Sequence, residues 1–305
     1  TSELEAKLVR GLQQNTFITI QNISDDQSDI LLKNGALDAV IKITEEAEHT
    51  SRLLIPKITL IVEGSRLQTK TLVAKILDRI VTETSLVQMR PGPLNTEIKY
   101  LYGGPEYQAI DYLAPNLVAF FAFFFVYLLT SVGFLRERTQ GTLERLRTSP
   151  LTRLEIILGY LMGYSIFALF QSTIILLFII YVIGINYDGS LPIVFLIVII
   201  LTIGSINLGI FLSTFARTEL QAVQFIPLVI FPQILLSGLI WPVSDMNVIL
   251  QWISRIFPLT YANNALTDVM IKGKGMLDIE VLFNISALCA FASIMIILAF
   301  IGLKR

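Results

Sequence analysis

The sequence predicts a multi-pass α-helical membrane protein with an α/β domain at its N-terminal end, and three observations carry that reading. Of the 305 residues, 54% are hydrophobic and only 15% charged. The mean hydropathy of +0.69 exceeds what a water-soluble domain normally reaches. Two uncharged runs, Tyr112–Leu135 and Ile156–Tyr187, flank a charged stretch at 136–155, and each exceeds the roughly 20 residues a helix needs to cross a bilayer. Composition also changes near residue 111, with about half of the Lys and Arg lying before it.

Residues 1–111 read as an extracytoplasmic α/β domain and its linker. Ser2–Gln14 has a helical pattern, and Thr16–Gln21 alternates as a strand does. Gln27–Lys33 reads as a short helix stopped by Asn34-Gly35. Leu37–Thr44 and Lys57–Glu63 are further strands, and Leu67–Leu86 is the longest amphipathic helix. Residues 88–111, rich in Pro and Gly, read as the linker.

Residues 112–305 form the transmembrane domain, with five visible spans at about 113–135, 156–184, 192–215, 221–240 and 281–303. If the spans alternate, eight Lys and Arg (five in 136–155, then Arg217, Lys304 and Arg305) fall on one side. Only Arg255, Lys272 and Lys274 fall on the other. The excess places 136–155 and the C-terminus in the cytoplasm and residues 1–111 outside. An external domain needs a route across the membrane, so the expectation is a further span upstream of Thr1, six in the full-length protein. That places the chain in the plasma (inner) membrane.

The cytoplasmic elbow 136–155 carries five arginines and three glutamates. Arg136–Arg147 has helical charge spacing, with Leu143 and Leu146 on one face. Pro150 stops that helix, and Thr152 and Glu155 are spaced as a capping box that starts the next span. A push on the first piece would move the second as a rigid body.

Pro227, Pro232, Gly238, Pro242, Pro258 and the Asn263-Asn264 pair punctuate residues 222–264. Irregular backbone at membrane depth requires protein or a water-filled cavity to satisfy it. The outer segment 241–280 therefore reads as re-entrant or interfacial, with Trp241, Trp252 and Tyr261 at headgroup level. Gly238, Pro242, Pro258 and Tyr261 are candidates for an outer gate. The span amides Gln171, Asn207, Gln224 and Gln233 either glue helices together or line a path. Phe120, Phe121, Phe123, Phe124 and Phe125 form a band expected to face lipid or a second copy. No span contains Asp, Glu, Lys or Arg, which argues against an in-membrane proton relay.

The net charge of −1, with no basic face beyond the elbow, excludes nucleic acid. Cys289 stands alone and His49 lies in a polar stretch, so neither a disulfide nor a metal site is readable. No nucleophile or acid–base pair suggests an enzyme.

The stretch Arg136-Glu137-Arg138-x-x-Gly141-Thr142-Leu143-Glu144-x-Leu146-x-x-Ser149-Pro150-Leu151 resembles the coupling region of the type-2 ABC exporter permeases. Within that family it is most similar to the drug and lipid exporter permeases with a large external domain after the first span. The Ser237-Gly238 turn with Pro242 and Met246, and Pro258-Leu259-Thr260-Tyr261, resemble later parts of the same family. The resemblance implies that a separate ATPase subunit, in two copies, docks on Arg136–Leu151. Glu137, Arg138, Gly141, Thr142, Glu144 and Arg145 would make direct contact, and Leu143 and Leu146 would fill an apolar groove.

No GxxxxGK[ST] loop occurs in this sequence, so ATP and Mg would bind the partner. The resemblance further implies a second identical or related permease. The charge-free spans suit a hydrophobic or amphiphilic cargo, drug or lipid-like. Alternatives are a polysaccharide or ion exporter permease of the same architecture, or a membrane sensor with an external ligand-binding domain.

Overall fold

A computed structural model describes residues 21, 23–33, 36–47, 54–65 and 95–302, and the chain divides into two units, Thr1–Tyr107 and Gln108–Arg305. The expected helices Ser2–Gln14 and Leu67–Leu86, and all of the expected strand Thr16–Gln21 except Gln21, lie outside the described residues.

In the first unit, helix α1 (Asp25–Lys33) precedes strands β1 (Ala39–Ala47), β2 (Leu54–Val62) and β3 (Asn95–Tyr100). The sheet order is β1-β2-β3. β1 and β2 pair antiparallel with Ala39 opposite Val62, and β2 and β3 pair parallel with Lys57 opposite Asn95. Leu60 and Val62 are fully buried, covered by Ala39, Ile41, Ile98 and Tyr100. β3 corrects the sequence reading, which assigned 88–111 to a linker. Its partner strand is some 38 residues away along the chain, so no local pattern announces the pairing.

The second unit is helical. α2 (Ala109–Thr139), α3 (Thr142–Thr148), α4 (Arg153–Leu177, continued as a π-helical segment Phe178–Ile183), α5 (Leu191–Ser213) and α6 (Glu219–Leu236) come first. α7 (Val248–Ser254), α8 (Pro258–Met270) and α9 (Ile279–Gly302) follow. Five of these, α2, α4, α5, α6 and α9, are long and apolar enough to cross a membrane. The chain is a multi-pass α-helical membrane protein.

Side-chain contacts show that successive spans alternate in direction. Arg138, at the C-terminal end of α2, donates from Nη1 to the Thr214 carbonyl just after α5 (2.7 Å). The Gly302 end of α9 packs on Thr214 and Phe211. At the other end, Asp111 near the start of α2 accepts from the Asn186 backbone N–H (3.0 Å) and from Asn186 Nδ2 (3.3 Å) in the α4–α5 loop. Asn116 Nδ2 donates to the Gly238 carbonyl beyond α6 (3.4 Å). Elbow and opposite ends are thereby separated by one span length.

α5 is the central helix, packed against α2, α9, α4 and α8. A Cβ built on Gly209 would lie 3.0 Å from Thr130 Cβ and 3.2 Å from the Tyr127 carbonyl oxygen, so glycine lets α5 reach the backbone of α2. Ser205 Oγ donates to the Phe123 carbonyl at 2.8 Å across the same seam.

One expectation changes here. Phe123 is fully buried and stacks on Tyr127 at 5.9 Å, Phe120, Phe121 and Phe124 are half-buried, and only Phe125 of the five phenylalanines is exposed, so they are not one outward band. Within the outer segment expected to be re-entrant or interfacial, α8 packs inward: Leu259, Ala262, Ala265, Leu266 and Val269 are fully buried against α2, α5 and α9.

Candidate functional site

The elbow is built from three pieces. α2 runs out of its span unbroken, so Arg136, Glu137 and Arg138 belong to α2 rather than to a separate elbow helix. Gly141, at φ +78°, breaks the chain and serves as the N-terminal residue of α3. The left-handed conformation costs a residue with a side chain roughly 1–2 kcal/mol, which explains a break inside a stretch whose charges are spaced for one continuous helix.

α3 ends where the Ser149 backbone N–H donates to the Leu146 carbonyl (3.2 Å), and Ser149 adopts the extended backbone that Pro150 demands. Thr152 then caps α4: its oxygen accepts from the Glu155 N–H (3.4 Å), and Glu155 Oε2 accepts from the Thr152 N–H (2.7 Å). This is the capping box expected from the Thr-x-x-Glu spacing.

The placement of the apolar elbow residues corrects one expectation. Leu143 is 3% exposed and packs in the protein's own core with Val126, Phe134, Ile156, Ile157, Ile206, Ile210 and Ala299, with Leu146 against it. Leu143 is thereby spent on holding α3 onto the spans, whereas Leu146 packs against the same core and stays half-exposed. Arg138, chosen for direct contact, also binds the α5 end through Thr214. Of the residues expected to meet the ATPase, Arg136, Arg138, Thr142, Glu144, Arg145, Pro150 and Leu151 are exposed, with Glu137, Gly141, Leu146 and Ser149 half-buried. Beside it, Leu135 packs with Ala216 and Ala222, bringing the α5–α6 link, with exposed Arg217 and Leu220, to the same end.

The opposite end gathers part of the predicted gate. Gly238 sits at φ +87° just after α6, with Val243 beside it. Pro258 is buried at the first position of α8. Tyr261 donates from its hydroxyl to the Arg255 carbonyl (2.8 Å). Trp241 and Trp252 are exposed, and the Arg255 guanidinium lies 4.2 Å from the Trp252 ring centroid.

The four span amides are not one lining. Gln171 Nε2 donates to the Phe121 carbonyl (3.2 Å), joining α4 to α2. Asn207 bonds its own helix at the Ile203 carbonyl (2.8 Å). Gln224 is exposed. Gln233 is buried near the Gly238 break. The sequence reading passed over Asn116 and the role of Asn263, which the fold brings to this break. An Asn directly after Pro115 in an otherwise apolar run was the available signal.

The model of the ABC-2 family transporter proteins matches residues 1–301. ABC transporter G family member 20 of Dictyostelium discoideum is 32% identical over 213 residues, 70% of this chain and 29% of that protein. The probable multidrug ABC transporter permease YbhR of Escherichia coli K12 is 31% identical over 216 residues, 70% of this chain and 59% of that protein. The linearmycin resistance permease protein LnrN of Bacillus subtilis 168 is 29% identical over 179 residues, 57% of this chain and 45% of that protein. The chain thus spans less than two thirds of the length of these relatives. It belongs to the ABC-2 transporter family.

Proposed function

We propose that this ABC-2 family chain is the membrane subunit of an ATP-driven exporter. A separate ABC ATPase, in two copies, would dock on the exposed elbow, and a second permease would pair with this one. The names of the E. coli and B. subtilis relatives, a multidrug permease and a resistance permease, favour a drug or a similar hydrophobic or amphiphilic compound as cargo. The apolar stretches of the spans, at 113–135, 156–184, 192–215, 221–240 and 281–303, lack Asp, Glu, Lys and Arg, which suits such a molecule. The Lys and Arg excess supports a cytoplasmic elbow and an external N-terminal unit.

The observation that carries the reading is the mechanical continuity of the elbow. α3 is bolted to the span core by Leu143, α2 is tied to α5 by Arg138, and α4 starts rigidly from the Thr152–Glu155 box. Force applied to the exposed Glu144–Arg145 face would therefore reach α2, α4 and α5 together. Closure of the ATPases around ATP would tilt these helices and turn a central path from inward to outward access.

The test is the double variant Glu137→Lys, Glu144→Lys in cells that express the ATPase. The expected result is at least a tenfold loss of co-purified ATPase and of export, with the permease itself still inserted. Normal assembly and normal export would refute the docking assignment.

A further inference from the structure

Near the elbow, α4 leans on α2 at a point outside the expected docking surface. A Cβ built on Gly133 would lie 2.7 Å from the Tyr164 hydroxyl oxygen, 3.5 Å from its Cζ and 3.6 Å from its Cε1. Tyr164 of α4 therefore rests the tip of its ring on the bare backbone of α2, three residues before Arg136.

Neighbouring rings hold that ring in place. Tyr160, one turn earlier on α4, stacks on it with centroids 6.3 Å apart, and Tyr160 in turn meets Phe134 of α2 edge-on at 5.0 Å. Both tyrosines pack on the core that contains Leu143 of α3 together with Phe134, Ile156 and Ile157. The elbow helix and the ends of α2 and α4 thus share one cluster. Further along α4, Gln171 bonds the Phe121 carbonyl of α2. A flexible amide side chain can absorb a small displacement in its torsions, whereas a ring wedged among neighbours passes it on. From Gly133, α2 runs as one helix back to Asn116, which donates to the Gly238 carbonyl (3.4 Å) where α6 ends.

We propose that Tyr164 is a positioning residue for transport, a deepening of the exporter reading above that rests on it. Seated on Gly133, it passes the displacement of α3 and of the start of α4 into α2. α2 then carries that displacement to the α6 break at the opposite end. A methyl group at position 133 would push the hydroxyl off and open the seam between α4 and α2. Alanine is a better helix former than glycine, so a defect in Gly133→Ala would not come from lost helix.

The test uses the full chain with its co-purified ATPase in lipid nanodiscs. Cys289→Ser removes the lone cysteine, and Trp252→Cys, exposed at the opposite end, carries a bimane label. The signal is the change in label fluorescence on adding ATP and vanadate, with ATP hydrolysis before trapping read alongside. Gly133→Ala should bind the ATPase and hydrolyse ATP as wild type does, yet lose about threefold or more of the label response, as residues along a coupling chain do. Adding Tyr164→Phe leaves only the contacts of 3.5 and 3.6 Å, which are ordinary packing distances, and should restore the response. Tyr164→Ala alone removes the ring and should lose the response with residue 133 unchanged. It decides the matter if Gly133→Ala fails to insert.

A full response in Gly133→Ala or in Tyr164→Ala would overturn the proposal. So would a loss in Gly133→Ala that Tyr164→Phe does not repair, lost ATPase binding in Gly133→Ala, or a wild-type label that ignores nucleotide. All of these leave the exporter reading standing. A wild-type chain that brings down no ATPase would sink that reading, and this inference with it.

Discussion

Asp268, two residues before the end of α8, lies 3.0 Å from Lys272 Nζ and 3.8 Å from Lys274 Nζ, and Lys274 in turn pairs with Glu280 at the start of α9. Burial raises its pKa above the ordinary carboxylate value, Lys272 and Lys274 oppose that shift, and Glu280 adds to it. With the folded value above the unfolded one, the native chain keeps the proton over a window where the unfolded chain has released it. Ionisation here therefore works against folding. The penalty is complete above the raised value and gone below the unfolded value of about 3.9.

Asp268→Asn mimics the protonated form at every pH. The Tm difference, variant minus wild type, should thus favour the variant more at pH 7.5 than at pH 4.5. A difference that stays constant across that range would show that the carboxyl is not destabilised by burial. Asp268 was not legible as a special residue, because its neighbours Lys272 and Lys274 look like an ordinary solvated charge pattern in one dimension. Arg138 and Leu143 were visible as elbow residues, but their inward partners, Thr214 and the span core, lie far away along the chain.

Elements set by local chemistry were readable, and those set by distant partners were not. The five spans follow from composition, and the α4 start follows from Thr152 and Glu155, three residues apart. α8 lay inside a segment read only as re-entrant or interfacial, since thirteen residues with modest apolar content carry no mark of the helices that bury them. The break between α2 and α3 was hidden for a different reason: the charges on both sides keep a helical spacing, and only Gly141 signals a turn.

Gly141 also supports a clean experiment. A Cβ built on it meets nothing within 4 Å, so its constraint is the φ of +78° alone. Gly141→Asn should be nearly neutral, whereas Gly141→Ala should cost about 1 kcal/mol and Gly141→Val more. For a unit of this size that corresponds to roughly 2–4 °C in Tm per kcal/mol. Thermal melts of the purified variants should rank in that order. If Asn proved as damaging as Val, crowding by a neighbour would have to replace backbone strain as the cause.

On the scale of the whole molecule, the spans divide into a central helix and a periphery. Within its most apolar stretch α5 is 61% buried, whereas α4 and α6 are each 22% buried. α4 turns Met162, Ile166 and Phe170 outward, each about two-thirds or more exposed. In a bilayer such side chains exchange protein for lipid tails at little cost, since lipid is as apolar as leucine, and what holds spans together is close packing. The two classes should therefore respond differently to the same truncation. Ile206, fully buried where α5 meets the elbow core, leaves a cavity when cut to Ala. The expected cost is about 2–4 kcal/mol, with a matching loss of Tm and weaker elbow attachment.

Ile166→Ala, at a site 71% exposed, should change stability by less than about 0.5 kcal/mol. Parallel melts in nanodiscs decide the matter. Similar losses for both would mean that the outer face of α4 is covered by protein, and the second permease of the assembly would then be placed against α4. A large gap between the two leaves α4 to the lipid. It would also leave α6, which is no better buried, as the span positioned to meet another copy.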